Sequence, residues 1–149
     1  MDHIVYLDAK AKEIENLVLG NKSMILRGAS AKEIPYGLVN EGDILYFIND
    51  NGEEEVKAMA IVSSVFNSEK LSNEESFETI IRNQDKLQLP DMLFEKLAGK
   101  QYLVLIGLDK IREVKPFQIE NRNSTKIGDW IPAGRIEEYV KKYVVSSRL

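Results

Sequence analysis

The chain has no cysteine, one histidine and one tryptophan among its 149 residues. Without cysteine there is neither a disulfide nor a thiolate metal site, and the composition suits a reducing compartment. His3 has no serine, cysteine or second metal ligand grouped with it, so neither a histidine triad nor a zinc or other metal centre is indicated, and no cofactor is implied. The basic surplus that gives nucleic-acid binders their counterion-release affinity is missing too. Lys and Arg number 20 against 24 Asp and Glu, a formal charge of −4. Any contact with a nucleic acid must therefore be local. No stretch approaches the ~18 apolar residues of a membrane span, and Met1-Asp2-His3-Ile4 lacks the basic and apolar regions of a signal peptide. The expectation is a cytoplasmic protein with no membrane partner.

What is present, 44% hydrophobic and 30% charged residues, suits one domain over residues 1–149 with a buried core. No internal repeat, low-complexity tract or linker divides it. His3 to Leu7 reads as a short strand, and Asp8 as the N-cap of a helix from Ala9 to Leu19. That helix buries Ala11, Ile14, Leu17 and Val18 and turns Lys10, Lys12, Glu13 and Glu15 outward. Gly20 suits its C′ position, where a left-handed conformation costs glycine little. Met24 to Gly28 follows as a strand in which Ile25 and Arg27 share a face. Ala29 to Glu41 is a loop able to rim a cleft, and Ile44 to Ile48 and Glu55 to Phe66 form a hairpin across Asn49-Asp50-Asn51-Gly52.

Ser72-Asn73-Glu74-Glu75 has the spacing of a capping box for a helix with Phe77, Ile80 and Ile81 on its apolar side. A second helix starts at Pro90-Asp91 and stops at Gly99. From Glu69 to Glu95 seven acids face Lys70, Arg82 and Lys86, which casts this segment as an outer wall repelling phosphate. Tyr102 to Leu108 is the most continuous apolar run, a strand expected at the centre and buried on both faces, and Ile111 to Ile119 continues it with Pro116 at an edge or bend. Glu120 to Asp129 is a polar loop. Ile136, Tyr139, Val140, Tyr143 and Val144 then predict a C-terminal helix.

Two cations of the stretch Gly20-Asn21-Lys22-Ser23-Met24-Ile25-Leu26-Arg27 lie near one mouth of the sheet, with Gly42-Asp43 further on. Gly20, Lys22, Ser23, Arg27 and Asp43 are the candidate ligand-binding residues. A lysine is nucleophilic only when unprotonated, so catalysis by Lys22 would need burial or a second cation such as Arg27 to lower its pKa. Alternatively both remain charged and hold a phosphate, Arg27 through its fork. Asp43 reads first as a turn residue bonding backbone amides, and otherwise as a catalytic acid. Trp130 either stacks a base beside Arg122 and Lys126 or pins the C-terminal helix to the core.

Together G-N-K-S-M-I-L-R, Gly42-Asp43 and the run Tyr102 to Ile119 ending in Pro116-Phe117-Gln118-Ile119 resemble the ASCH family of the PUA-like superfamily. Its signature is G-x-K-x-x-E-x-R. Gly20, Lys22 and Arg27 match it, and Ile25 stands where the signature has glutamate. The resemblance covers roughly residues 17–119, with the loop and helix of 120–149 beyond it. It implies an α+β fold: a small mixed β-barrel of five to six strands flanked by helices. It also implies a cleft suited to RNA, a nucleotide or a modified nucleoside. Some small members are amidohydrolases that deacylate N4-acetylcytidine. There the motif lysine, here Lys22, acts with a threonine at the signature's glutamate position and a carboxylate on the following helix, here Glu74, Glu75 or Glu78. With isoleucine at position 25, Arg27 loses a neutralising partner, so the cleft is expected to be more anion-attracting than that of a member that keeps the glutamate, which favours binding over catalysis. A third reading is a protein-interaction module using the exposed helix faces.

Overall fold

Five consecutive residues, His3 to Leu7, are buried, which is possible only for a strand covered on both faces. In the computed structural model, which describes residues 1–120 and 129–141, they form β1 (Asp2–Leu7). β1 runs parallel to β3 (Ile44–Asn49) and antiparallel to β6 (Trp130–Gly134). β2 (Met24–Ala29), β4 (Glu55–Asn67) and β5 (Tyr102–Gln118) complete a six-stranded mixed sheet in the order β2-β5-β4-β3-β1-β6. The sheet curls into a half-barrel of PUA-like α+β type.

Strand alternation sorts the side chains. Val5, Leu7, Ile25, Leu45, Phe47, Ala58, Ala60, Val104 and Ile106 pack in one core with Ile14 and Leu17 of α1 (Glu13–Val18) and with Trp130. On the opposite face of β2 and β5, Met24, Leu26, Leu103 and Leu105 pack with Ile80 of α2 (Asn73–Arg82), Leu87 of α3 (Gln84–Leu87) and partly buried residues of α4 (Asp91–Leu97). Ser72 and Glu75 make both bonds of the expected capping box. α2 and α4 leave Phe77, Ile81 and Met92 exposed among acidic neighbours.

Several elements depart from the sequence expectation for local reasons. The first helix is shorter. The Asp8 side chain accepts from Ala11 N at 2.8 Å and Lys12 is left-handed (φ 54°), so residues 9–12 form a turn and α1 begins at Glu13. The long run from Tyr102 is one strand, second from the edge rather than central. Its first half lies between β2 and β4, while Asp109 to Gln118 pairs with β4 alone. The expected C-terminal helix does not form over 136–141. Asp2 Oδ2 accepts from Ile136 N at 2.8 Å, a single 3₁₀ turn follows (Ile136–Glu138), and Val140 bridges to Ile119. Backbone bonds from Glu120 N to Tyr139 O and from Lys141 N to Gln118 O replace the helical ladder. Tyr143 and Val144 lie outside the described residues.

Candidate functional site

Arg27 is set by the alternation of β2 to face the barrel interior, on the side of Ile25. Its Nη2 donates to Tyr6 O at 2.7 Å and its Nη1 to Leu26 O at 3.0 Å, and the guanidinium lies 5.8 Å from the Trp130 ring centroid. One side chain thus ties edge strand β2 to β1 and β6 at the other end of the strand order. Its Nε is buried without a partner, one of two such side-chain atoms among the described residues.

Two cavities adjoin at this arginine. One, of about 170 Å³, is walled by Trp130, Tyr36, Tyr102 and Val104, with the 31–36 loop at its rim. Tyr36 and Tyr102 meet edge to face at 5.8 Å, and Lys32 sits 5.5 Å from the Tyr36 ring centroid. The other, also about 170 Å³, contains Glu13 and Lys22 against an apolar wall of Leu26, Leu89, Leu93 and Leu97, with Asp8, Asp50 and Asp129 around it. Each is smaller than the roughly 300 Å³ at which small-molecule sites begin, and the two share Arg27, Gly28 and Asp129 in their walls. The acidic segment is therefore a cleft wall, and leucines are what it presents there.

Lys22 is buried, and its Nζ donates to Leu87 O at the end of α3 at 2.6 Å. Burial draws its pKa down, Glu13 opposes that, and Arg27 adds to it. Glu13, expected on the solvent side of its helix, is also buried; burial raises its pKa against the pull of Lys22 and Arg27. The missed signal was its spacing, since Glu13 and Leu17 are four apart on one helix face. Ile25, in the signature's acidic position, is fully buried in the core. α1 instead brings a buried acid, Glu13, to the cleft. Four carboxylates, Asp8, Glu13, Asp50 and Asp129, line this cavity with Lys22, Arg27 and Lys96.

The other candidates lie elsewhere. Gly20 closes the turn after α1 with φ +82°, and Ser23 is exposed, its backbone bonded to Lys86 and Leu108. Asp43 is buried away from both cavities. Its Oδ2 accepts from Asn40 N at 3.0 Å and from His3 Nε2 at 2.8 Å. His3 Nδ1 in turn accepts from Trp130 Nε1 at 3.0 Å. Trp130, 1% exposed, is a wall of the first cavity and a core residue of β6, not a displayed stacking platform. Glu74, Glu75 and Glu78 are exposed on α2, with Glu75 engaged in the capping box, and none lines either cavity. Arg122 and Lys126 lie outside the described residues.

Compared with solved structures, the chain superposes on ASCH from Zymomonas mobilis with a TM-score of 0.65 at 10% identity, covering 87% of this chain and 85% of that one. A tyrosine-to-phenylalanine mutant of the same protein, ZmASCH, gives 0.64 at 11%, over 87% and 88%. Its serine-to-alanine mutant gives 0.59 at 13%, over 78% and 73%. The chain has an ASCH-type fold. The likeness is one of architecture, since no family model matches the sequence and no curated protein matches it. Within this ASCH-type fold the motif residues Lys22 and Arg27 line one cleft, and Glu13 joins them from a preceding helix.

Proposed function

We propose that this protein binds RNA, or a nucleotide-sized part of it, with an unpaired base rather than a phosphate entering the cleft at Arg27. The observation that carries this reading is the position of Arg27 between two cavities, with only two of its five N–H groups bonded among the described residues. Aromatic walls on one side and leucines on the other suit a flat, uncharged ring. The surrounding carboxylates disfavour a phosphate chain. Binding of nucleosides and of short single-stranded RNA, measured at low and high salt, tests this. We expect Arg27→Lys to weaken binding about tenfold while melting cooperatively. The salt slope should fall well short of the ~0.7 per phosphate that backbone contacts give to single strands. Unchanged affinity in Arg27→Lys would overturn the assignment.

The Lys22 and Glu13 pair favours a second reading, hydrolysis of an acylated nucleoside. A lysine with a depressed pKa and a carboxyl with a raised one, lining the same cavity, supply a base and an acid there. Incubation with N4-acetylcytidine decides it. Release of cytidine that Lys22→Ala abolishes supports the reading, and absence of turnover removes it.

A further inference from the structure

Glu13 is the least reconciled side chain of the cleft. It is 7% exposed, its carboxylate makes no hydrogen bond among the described residues, and its oxygens are not sealed in the core but open onto the cavity that it lines. It lines the leucine-walled cavity together with Lys22 and Arg27, both of which have N–H groups not bonded among the described residues. The cavity therefore juxtaposes an acceptor having two oxygens with donors, over an apolar wall.

We infer that Glu13 is the specificity residue of this cleft, reading a ligand edge that carries two adjacent N–H donors beside a carbonyl. This deepens, and rests on, the reading of the cleft as a base-binding site. A carboxylate accepts in parallel from two neighbouring N–H groups, as it does from arginine. Among the four common bases only guanine presents that edge. Its N1–H and N2–H₂ face the carboxylate while O6 faces Lys22 or Arg27. Adenine and cytosine each place an acceptor beside their amino group, and uracil places acceptors on both sides of its single N–H. Those edges would leave Glu13 opposite a lone pair. The nearby Asp8, Asp50 and Asp129 add that the ligand brings no phosphate to this end of the cleft.

Calorimetric titration of the whole chain with guanosine, inosine, adenosine, cytidine and guanosine 5′-monophosphate tests the assignment. Inosine is the informative comparison, because it keeps N1–H and O6 and lacks only the 2-amino group. We expect guanosine to bind roughly tenfold or more tighter than inosine, the discrimination of a good bidentate pair. Guanosine 5′-monophosphate should bind no tighter than guanosine. Glu13→Gln, nearly isosteric, should bring guanosine down to the level of inosine and leave inosine within about twofold. Glu13→Asp should keep part of the preference. Equal binding of all four nucleosides by the native chain overturns the inference while leaving base binding at Arg27 standing. So does a Glu13→Gln variant that weakens every nucleoside alike. If no nucleoside binds at all, the inference and the reading beneath it fail together.

Discussion

Two buried polar clusters lie on either side of Trp130, and they are built on opposite principles. In the first, Asp43, His3 and Trp130 form a closed chain: tryptophan can only donate, so His3 Nδ1 must accept and Nε2 must carry the proton given to Asp43. Asp43 has a further donor in Asn40 N. In the second, Glu13, Lys22 and Arg27 share a cavity, and among the described residues carbonyls accept from the cations while no hydrogen-bond donor reaches the acid. A satisfied network fixes the register of β1, β3 and β6. An unsatisfied one costs stability and persists where a ligand completes it. Trp130 belongs to both, bonding His3 through its ring N–H and lying beside Arg27.

The contrast breaks most sharply at Ile25. If Glu13 already supplies the acid of the second cluster, a carboxylate at position 25 enters a core of Val5, Leu17 and Leu45 with no vacancy for it. Ile25→Glu should lower the unfolding free energy by about 3 kcal/mol or more in urea titration. Combined with Glu13→Gln the loss should shrink, since one of the four carboxylates around the cations is then gone. Additive effects would show that the two positions do not share a role. Next in size is His3→Leu, which leaves the Trp130 N–H and Asp43 without their shared partner. A loss of about 2–3 kcal/mol is expected, with nucleoside affinity of the folded fraction little changed. Glu13→Gln should do the reverse. Its stability should stay within about 1 kcal/mol of the parent, because relief from burying an unbonded charge offsets the lost attraction to Lys22 and Arg27, while guanosine selectivity disappears.

These same positions show what the sequence could convey. The strands were legible because alternation and β-branched runs are local: His3 to Leu7, Met24 to Gly28 and the hairpin of Ile44 to Phe66 all lie where their pattern places them. Lys22 and Arg27 on one cleft followed from motif spacing and strand parity. Glu13 was placed outward with its charged neighbours although it stands four residues before the buried Leu17, and its helix starts at Glu13 rather than Ala9, a shift set by tertiary partners such as Asp50 Oδ1 on Ala9 N. β6 was hidden for a similar reason. Trp130 to Gly134 contains Pro132 and Gly134, poor strand formers that are tolerated at a sheet edge and are held there by β1. The apolar stripe from Ile136 was real, but its first residues pack against the sheet through one 3₁₀ turn and a bridge instead of a helix.

The smallest expected effect separates the clusters by proton linkage. Burial lowers the pKa of His3 from 6.5 despite Asp43, so as pH falls below 6.5 the unfolded chain takes up a proton that the native His3 resists, and stability declines toward the native value. Burial raises the pKa of Glu13 from 4.5, which acts in the opposite sense. As pH falls through its native value the folded chain takes up the proton first, and stability is gained. In the parent the two contributions partly cancel over the acid limb. Glu13→Gln removes only the gain, so its unfolding free energy should fall more steeply than the parent's between pH 6.5 and 4.5. His3→Leu removes only the loss and should flatten the same limb. Parallel profiles for the parent and Glu13→Gln would mean that Glu13 is solvated like any surface acid, and the distinction between a completed network and one awaiting its ligand would have to be given up.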